Sequence, residues 1–130
     1  MTYNDAQRIS HIKQHCLEVQ ETLEDCGFSY ERYLLRGTFR RSISLSIIQI
    51  GEHAGKLSEE LKHATPERIP WHEIRGMRNW LVHDYLKANL ETIWDTATVQ
   101  IPALLAFCDE IIEANPEAFD FPALPEEDDE

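Results

Sequence analysis

Apolar residues recur at helical spacing along most of the chain, and each run predicts an α-helix. The first run covers about residues 4–25 with a three-four-three-four spacing, that of an amphipathic helix: Ile9, Ile12, Cys16, Val19 and Leu23. Asn4 or Asp5 could cap its start, and Gly27 could end it. A short second helix is predicted over residues 29–36.

The longest run predicts a central helix from Thr38 to about His63, with a seam of Ile43, Ile47, Ile50, Ala54, Leu57 and Leu61. Leu45 and Ile48 add a second apolar edge, so we expect this helix to be covered on more than one side. Gly51 lies inside it. Because glycine weakens an exposed helix by about 1 kcal/mol relative to alanine, close approach by another helix is the expected reason for it.

Two further helices complete the prediction. One follows the turn-rich connector of residues 65–70 and covers about residues 71–84. The last covers about residues 90–114, where Pro102 is expected to remove a backbone hydrogen bond and kink the helix. No stretch shows the pattern of a strand, so the predicted fold is all-α, an antiparallel four-helix bundle with one extra short helix.

Charge divides the chain into a body and a tail. Residues 109–130 carry ten acids and no Lys or Arg, so the formal charge of −12 belongs mostly to the end of the chain. We predict one helical domain over residues 1–115 and a disordered or loosely docked acidic tail over residues 116–130. The nearly neutral body disfavours nonspecific binding of nucleic acid but allows a local phosphate site.

The compartment follows from the cysteines and the apolar runs. Three cysteines without a CxxC pair, together with a polar N-terminus, indicate a protein of the reducing cytosol. No apolar run is long enough to cross a bilayer, so no membrane is predicted. His53 and His63 lack metal-ligand spacing, and neither a metal nor a cofactor is predicted.

Polar residues of the helix predicted over residues 71–84 carry the candidate chemistry. On an ideal helix one broad arc holds His72, Arg75, Arg78, Asn79, His83 and Tyr85, and the opposite side holds Ile74, Met77, Trp80 and Leu81. Asp84 would point into the core, so the helix is expected to end near His83 or Asp84. Because Trp71 and Val82 also fall in the polar arc, the arc is typical of a contact surface, such as one with a second copy.

Arg78 and His83 together could cleave an RNA backbone. Arginine grips phosphate through two parallel hydrogen bonds, and histidine exchanges protons near neutral pH. The histidine would deprotonate a ribose 2′-hydroxyl or protonate the leaving oxygen while the arginine stabilises the phosphorane, without a metal. The two residues lie about 140° apart on an ideal helix, so convergence requires an unwound helix end or a second chain.

Arg78, His83 and Tyr85 form an Arg-x4-His-x-Tyr pattern that resembles the signature of HepT-type toxins of the HEPN superfamily. The resemblance covers roughly residues 5–113 and includes four flanking segments: Ile50 to Ala54, Ile69 to Trp71, Ile74 to Met77, and Ile101 to Leu104. It implies a small all-α homodimer with the motif in a cleft at the dimer interface. The implied activity is that of a metal-independent ribonuclease toxin acting on RNA.

The same resemblance implies roles for single residues. Arg78 and His83 would be catalytic, and Tyr85 would be the residue to which a minimal nucleotidyltransferase antitoxin adds AMP. Supporting or RNA-binding roles would fall to Asn79 and Glu52. Arg75 is a further candidate for such a role, and a rim or structural role for it stays open.

Other interpretations stay open at this point. Arg78 could simply pair with a nearby acid, such as Asp84, Glu52 or Glu73, and Tyr85 could be an aromatic anchor of the bundle. A different class of protein would also use these arginines: a non-catalytic helical adaptor that binds a nucleotide or docks a nucleotidyltransferase. Such an adaptor would not require proton transfer by His83.

Overall fold

The computed structural model describes residues 1–120, which form helices around one apolar core. These helices are α1 (Tyr3–Asp25), α2 (Tyr30–Leu35), α3 (Gly37–Gly55), α4 (Glu59–Ala64), α5 (Trp71–Asp84), α6 (Leu90–Asp95) and α7 (Ile101–Ala114). A 3-10 turn, Tyr85–Lys87, follows α5, and a π-helical segment, Thr96–Gln100, joins α6 to α7. No strand occurs within residues 1–120, so the predicted all-α class is confirmed.

The third helix lies at the centre, because α1 and α5 both pack against it and α7 packs against α1. Every seam residue predicted for α1 is buried, and so are the seam residues Ile43, Ile47, Ile50 and Ala54 of α3. On α5, Ile74 and Leu81 are buried, while Met77 and Trp80 are half-buried against the same core. The predicted apolar faces are therefore the ones that the fold buries.

The third helix ends earlier than the sequence predicted. Apolar periodicity continued to about His63, but α3 ends at Gly55, and a separate short helix, α4, begins at Glu59. Leu57 is buried and Leu61 is half-buried. The apolar spacing therefore continues across the break between α3 and α4, so the spacing alone did not reveal the break. The described residues therefore contain the short helix α4 in addition to the predicted α2, and the last predicted helix is divided into the six-residue α6, the π-helical segment and α7.

Asp5 of the first helix holds this break in place. Its carboxylate is 3% exposed and accepts hydrogen bonds from the backbone N–H of Ser58 (2.9 Å) and from the Ser58 hydroxyl (2.6 Å). Ser58 in turn caps α4 by accepting from the N–H of Leu61. The cap predicted for α1 was wrong, because Thr2, not Asn4 or Asp5, accepts the N-terminal hydrogen bond.

Glycine and proline act near the positions that the sequence predicted. Gly27 (φ +64°) and Phe28 (φ +53°) take the left-handed conformation that ends α1. Pro102 lies at the start of α7, and the turn before it is π-helical, with the N–H of Ile101 bonded to the carbonyl of Thr96. Since proline has no N–H to donate, the α-helical ladder is interrupted where the wider turn occurs.

The last described residues follow α7 in turns, and Phe119 packs against the core. Residues 121–130 lie outside the described residues. They include Phe121 and the acidic end of the predicted tail. Disorder of that tail therefore stays a prediction. Within residues 1–120 the helices are too short or too polar to cross a membrane.

The fifth helix crosses α3 at Gly51, as predicted for a glycine inside the central helix. A Cβ on residue 51 would lie 2.8 Å from the Cγ of Arg78 and closer still to its Cβ. Carbon atoms that are not bonded prefer a separation of about 3.5–4.0 Å. The Cβ of Arg78 is fixed to its backbone and cannot swing away, so this crossing requires glycine.

Three histidines meet where α1 packs against α3. The ring of His53 is stacked on that of His11, with centroids 4.8 Å apart, and lies 5.8 Å from that of His15. Arg8 donates a hydrogen bond from Nη1 to Nδ1 of His53 at 3.1 Å. Burial, with His11, Arg8, His15 and Lys56 nearby, lowers the pKa of His53 to about 4. Among the described residues, no group of three or more His, Cys, Asp or Glu side chains is placed to hold a metal ion.

Gly51→Ala should destabilise the protein by about 2 kcal/mol, because the added methyl group overpacks the α3–α5 crossing. Urea denaturation measures this change in the free energy of unfolding. Gly76→Ala is the matched control, since a Cβ there meets no atom within 4 Å. The control should be neutral or stabilising by up to about 1 kcal/mol. Equal stability of the two variants would contradict the proposed packing role of Gly51.

Lowering the pH from about 6.5 to about 4 should reduce stability through His53. In this window the unfolded chain binds a proton at His53 that the folded chain does not, so the free energy of unfolding falls as the pH falls. His53→Gln removes the titrating ring, and its urea midpoint should fall less over the same window. The control is His63→Gln at an exposed position, which should follow the wild type. If the urea midpoints of the wild type and His53→Gln fall by the same amount over this pH window, His53 is not the cause of the loss.

Candidate active site

The guanidinium of Arg78 is held in place by two neighbouring side chains at the α3–α5 crossing. Nε donates to Oε1 of Glu52 at 2.6 Å, and Nη2 forms an ion pair with the same oxygen. Nη1 donates to Oδ1 of Asn79 at 2.8 Å. Among the acids that the sequence offered as partners of Arg78, the structure selects Glu52. The predicted residues Glu52, Arg78 and Asn79 are thus brought together.

This arrangement leaves Arg78 able to bind an anion. A guanidinium carries five N–H groups. Two of them donate hydrogen bonds here and the ion pair engages a third, on Nη2, which leaves one on each Nη. The Arg78 and Glu52 side chains are 26% and 36% exposed, so the pair contributes little to stability and chiefly fixes orientation. A fixed guanidinium with two open donors can grip two oxygens of one phosphate.

His83 lies near the far end of the same helix and does not approach Arg78. Helix α5 continues to Asp84, so the unwinding that would let the two residues converge within one chain does not occur. Five residues of regular helix place them about 7.5 Å apart along the axis and about 140° apart around it. The His83 side chain is exposed and has no hydrogen bond or ion pair among residues 1–120.

Tyr85 begins the 3-10 turn that follows α5. At Asp84 the backbone leaves the helix (φ −154°, ψ 60°), as the sequence predicted for His83 or Asp84. The Tyr85 ring is half-buried and packs against the core. The tyrosine of the motif therefore lies at the edge of the core, two residues beyond His83.

Arg75 lies one helical turn before Arg78, over Gly55 of α3. A Cβ on residue 55 would lie 2.7 Å from the guanidinium carbon of Arg75. Arg75 and Arg78 line a small cavity of about 140 Å³ together with Gly51, Glu52, Gly55 and Lys56. Arg75 also borders a groove of about 410 Å³, whose other polar side chains are Lys62, His72 and Asn79. The predicted supporting residues therefore line two adjoining depressions.

Sequence reasoning missed Lys56 and Lys62, because both fall in the stretch predicted to continue the central helix. Lys56 follows Glu52 by four residues, and this spacing could have placed it on the same face as the ion pair. Trp71, which fell in the polar arc of the ideal helix, instead packs edge-on against Phe107 of α7 with ring centroids 6.0 Å apart.

Comparison with known proteins identifies the family of the chain. The family model described as "Ribonuclease HepT-like" matches residues 10–111. A relative from Caldanaerobacter subterraneus subsp. tengcongensis, provisionally named an RNase, is 34% identical over 107 residues, which cover 81% of this chain and 91% of the relative. A relative from Methanocaldococcus jannaschii with the same kind of name is 26% identical over 107 residues, covering 78% and 88%. No solved structure matches the chain.

A shorter match carries the same family name. A protein of Thermococcus cleftensis, provisionally named ribonuclease HepT, is 36% identical over 55 residues, which cover 42% of this chain and 49% of that protein. Arg78, His83 and Tyr85 all lie within the range that the family model matches. The resemblance carried by the Arg-x4-His-x-Tyr motif is confirmed, and the chain belongs to the HepT-like ribonuclease family.

Proposed function

We propose that this chain is the ribonuclease toxin of a toxin–antitoxin pair, and that it works as a homodimer without a metal. Family membership makes it a ribonuclease, with RNA as its substrate class. The proposal adds which residues are catalytic, that the chain acts as a homodimer, and that a minimal nucleotidyltransferase controls its activity. The observation that carries it is the guanidinium of Arg78, locked by Glu52 and Asn79 with two donors open.

In the proposed reaction Arg78 binds the phosphate that is cleaved, and His83 moves the protons. The 2′-hydroxyl gives its proton to a base, its oxygen attacks the adjacent phosphorus, and the 5′-oxygen leaves with a proton. The products are a 2′,3′-cyclic phosphate and a free 5′-hydroxyl. Arg78 stabilises the charge that develops on the phosphorane oxygens. The nucleophile belongs to the RNA itself, so this chemistry requires no metal.

Separation of Arg78 from His83 on one chain supports a site shared by two copies. Exposed apolar side chains lie close to the motif along the chain: Val82 is 48% exposed and Leu86 is 93% exposed. Val82 also lies one turn beyond Arg78 on the same side of α5. Such side chains favour burial against a partner. A second copy that covers them could bring its own His83 towards this Arg78, at the interface cleft that the family resemblance implies.

Tyr85 is the proposed site at which the antitoxin adds AMP. It lies two residues beyond His83, at the edge of the core, where the chain has already left α5. A nucleotide attached there would bring negative charge and bulk to the motif. Both would oppose RNA binding at Arg78, by charge repulsion and by occupying the space.

One observation favours the alternative of a non-catalytic adaptor. Because Arg78 and His83 do not meet within one chain, the arginine site of a single copy can bind a phosphate but has no proton carrier. A protein that only binds a nucleotide or docks a nucleotidyltransferase would need nothing more. The two proposals differ in whether His83 matters.

Purified protein with an unmodified Tyr85, verified by intact mass, should cleave single-stranded RNA in the presence of EDTA. His83→Ala should lower the rate at least about 100-fold, because general acid–base catalysis contributes that much. His63→Ala, at an exposed position on α4, is the matched control and should cleave at the wild-type rate. If wild type and His83→Ala cleave equally, or neither cleaves, the nuclease role of His83 is wrong.

A mixture of two inactive variants should regain activity if the site combines two chains. Arg78→Gln and His83→Ala, co-expressed in equal amounts, form mixed dimers in which one site has both residues intact. Random pairing makes half of the dimers mixed, so about a quarter of wild-type activity should return. Each variant expressed alone is the control. Lack of recovery in mixed dimers that are verified by mass would place Arg78 and His83 of one copy in the same site.

A further inference from the structure

We infer that Arg75 and Lys56 form a second phosphate subsite, which binds the RNA phosphate next to the one that Arg78 holds for cleavage. The inference rests on the proposed function, because it takes Arg78 as the group on the cleaved phosphate. It extends that function by stating how the RNA strand lies across α3 and α5.

The first support is the spacing of the two arginines. The stem of Arg78 lies over Gly51, and the guanidinium of Arg75 lies over Gly55. Four residues of α-helix measure about 6 Å along the axis. This distance is comparable with the separation of neighbouring phosphates along an extended single strand. The places where the two arginines cross α3 are therefore about one phosphate spacing apart, and both side chains line the same small cavity.

The second support is that Arg75 has no competing partner. Glu52 and Asn79 engage Arg78, whereas Arg75 is exposed and has no hydrogen bond or ion pair among the described residues. Its guanidinium lies against α3 at Gly55, in space that a Cβ on residue 55 would enter. Arg75 can therefore offer its whole fork of N–H donors to an anion.

The third support is the local charge. The cavity of about 140 Å³ between these helices is lined by three cations, Lys56, Arg75 and Arg78, and by one acid, Glu52. This surplus of positive charge occurs in a chain whose formal charge is −12. A small, cationic depression suits a phosphate group, whereas sites for whole drug-sized ligands are about 300–1,000 Å³.

Arg75 also indicates where the strand would continue. It borders both the small cavity and the groove of about 410 Å³ that holds Lys62, His72 and Asn79. An RNA strand with consecutive phosphates on Arg78 and Arg75 would pass from the first depression into the second. The subsite accordingly favours a polynucleotide over a free mononucleotide.

The test measures binding apart from cleavage. The probe is a short single-stranded oligoribonucleotide with a 2′-O-methyl group on every ribose, which removes the attacking hydroxyl. Arg75→Ala and Lys56→Ala should each weaken its binding about tenfold at low salt, because each removes a charged contact. Each should also reduce the slope of log affinity against log salt by about 0.7, the value for one phosphate contact with a single strand.

The matched control is Lys13→Ala, which removes the same charge from α1, where Lys13 pairs with Asp109. Its salt slope should equal that of the wild type. Thermal unfolding of all three variants checks that they fold. Unchanged salt slopes in folded Arg75→Ala and Lys56→Ala would overturn the subsite.

A second experiment changes the RNA instead of the protein and locates the phosphate that the subsite binds. In a cleavable RNA, one linkage at a time is replaced by a neutral methylphosphonate. Neutralising one linkage next to the cleaved bond should slow cleavage by the wild type about tenfold and leave Arg75→Ala without a further loss. If neutralising a linkage slows cleavage by the same factor in the wild type and in Arg75→Ala, at every neighbouring linkage, the subsite is wrong.

The two proposals fail separately. If the wild type cleaves RNA while the salt slopes of Arg75→Ala and Lys56→Ala are unchanged, the subsite is wrong and the nuclease proposal stands. If the wild type cleaves no RNA while both variants lose salt slope, the nuclease proposal is wrong. The subsite then stands as a phosphate-binding surface beside Arg78.

Discussion

The candidate site depends on the close crossing of α5 over α3 at Gly51. Because residue 51 has no side chain, the stem of Arg78 rests against the backbone of α3, and the neighbouring residue, Glu52, meets its guanidinium. One turn further along, Gly55 leaves room for the guanidinium of Arg75, which is the flexible end of an exposed side chain. A packing constraint between two helices therefore fixes where the stem of Arg78 lies.

This packing has an electrostatic consequence. A half-exposed ion pair adds little to the free energy of folding, but it removes the rotational freedom of a long side chain and leaves selected donors open. Glu52 offsets part of the charge that would otherwise build up where Arg78, Arg75 and Lys56 line one cavity. A positively charged surface can thus persist at one place in an acidic chain, and it can attract a phosphate locally.

The proposed chemistry is divided between the middle and the end of one helix. Arg78 lies at the helix crossing and suits charge stabilisation, whereas His83 is exposed at the end of α5 and suits proton transfer. A site completed by a second copy would make activity depend on assembly. Tyr85 lies where α5 has just ended, and a modification there would act on the same end of the helix as His83. Regulation and proton transfer would then share one short segment.

The sequence by itself determined the all-α class, the buried faces of α1, α3 and α5, and the need for glycine at residue 51, because these follow from helical periodicity over a few turns. The motif also identified the family. Periodicity could not show the break after Gly55, which is held by the carboxylate of Asp5, 53 residues away from Ser58 along the chain. Nor could it select Glu52 as the partner of Arg78 or place Arg75 with Lys56. Those outcomes were decided by tertiary structure, since each is a contact between residues that only the packing of separate helices brings together.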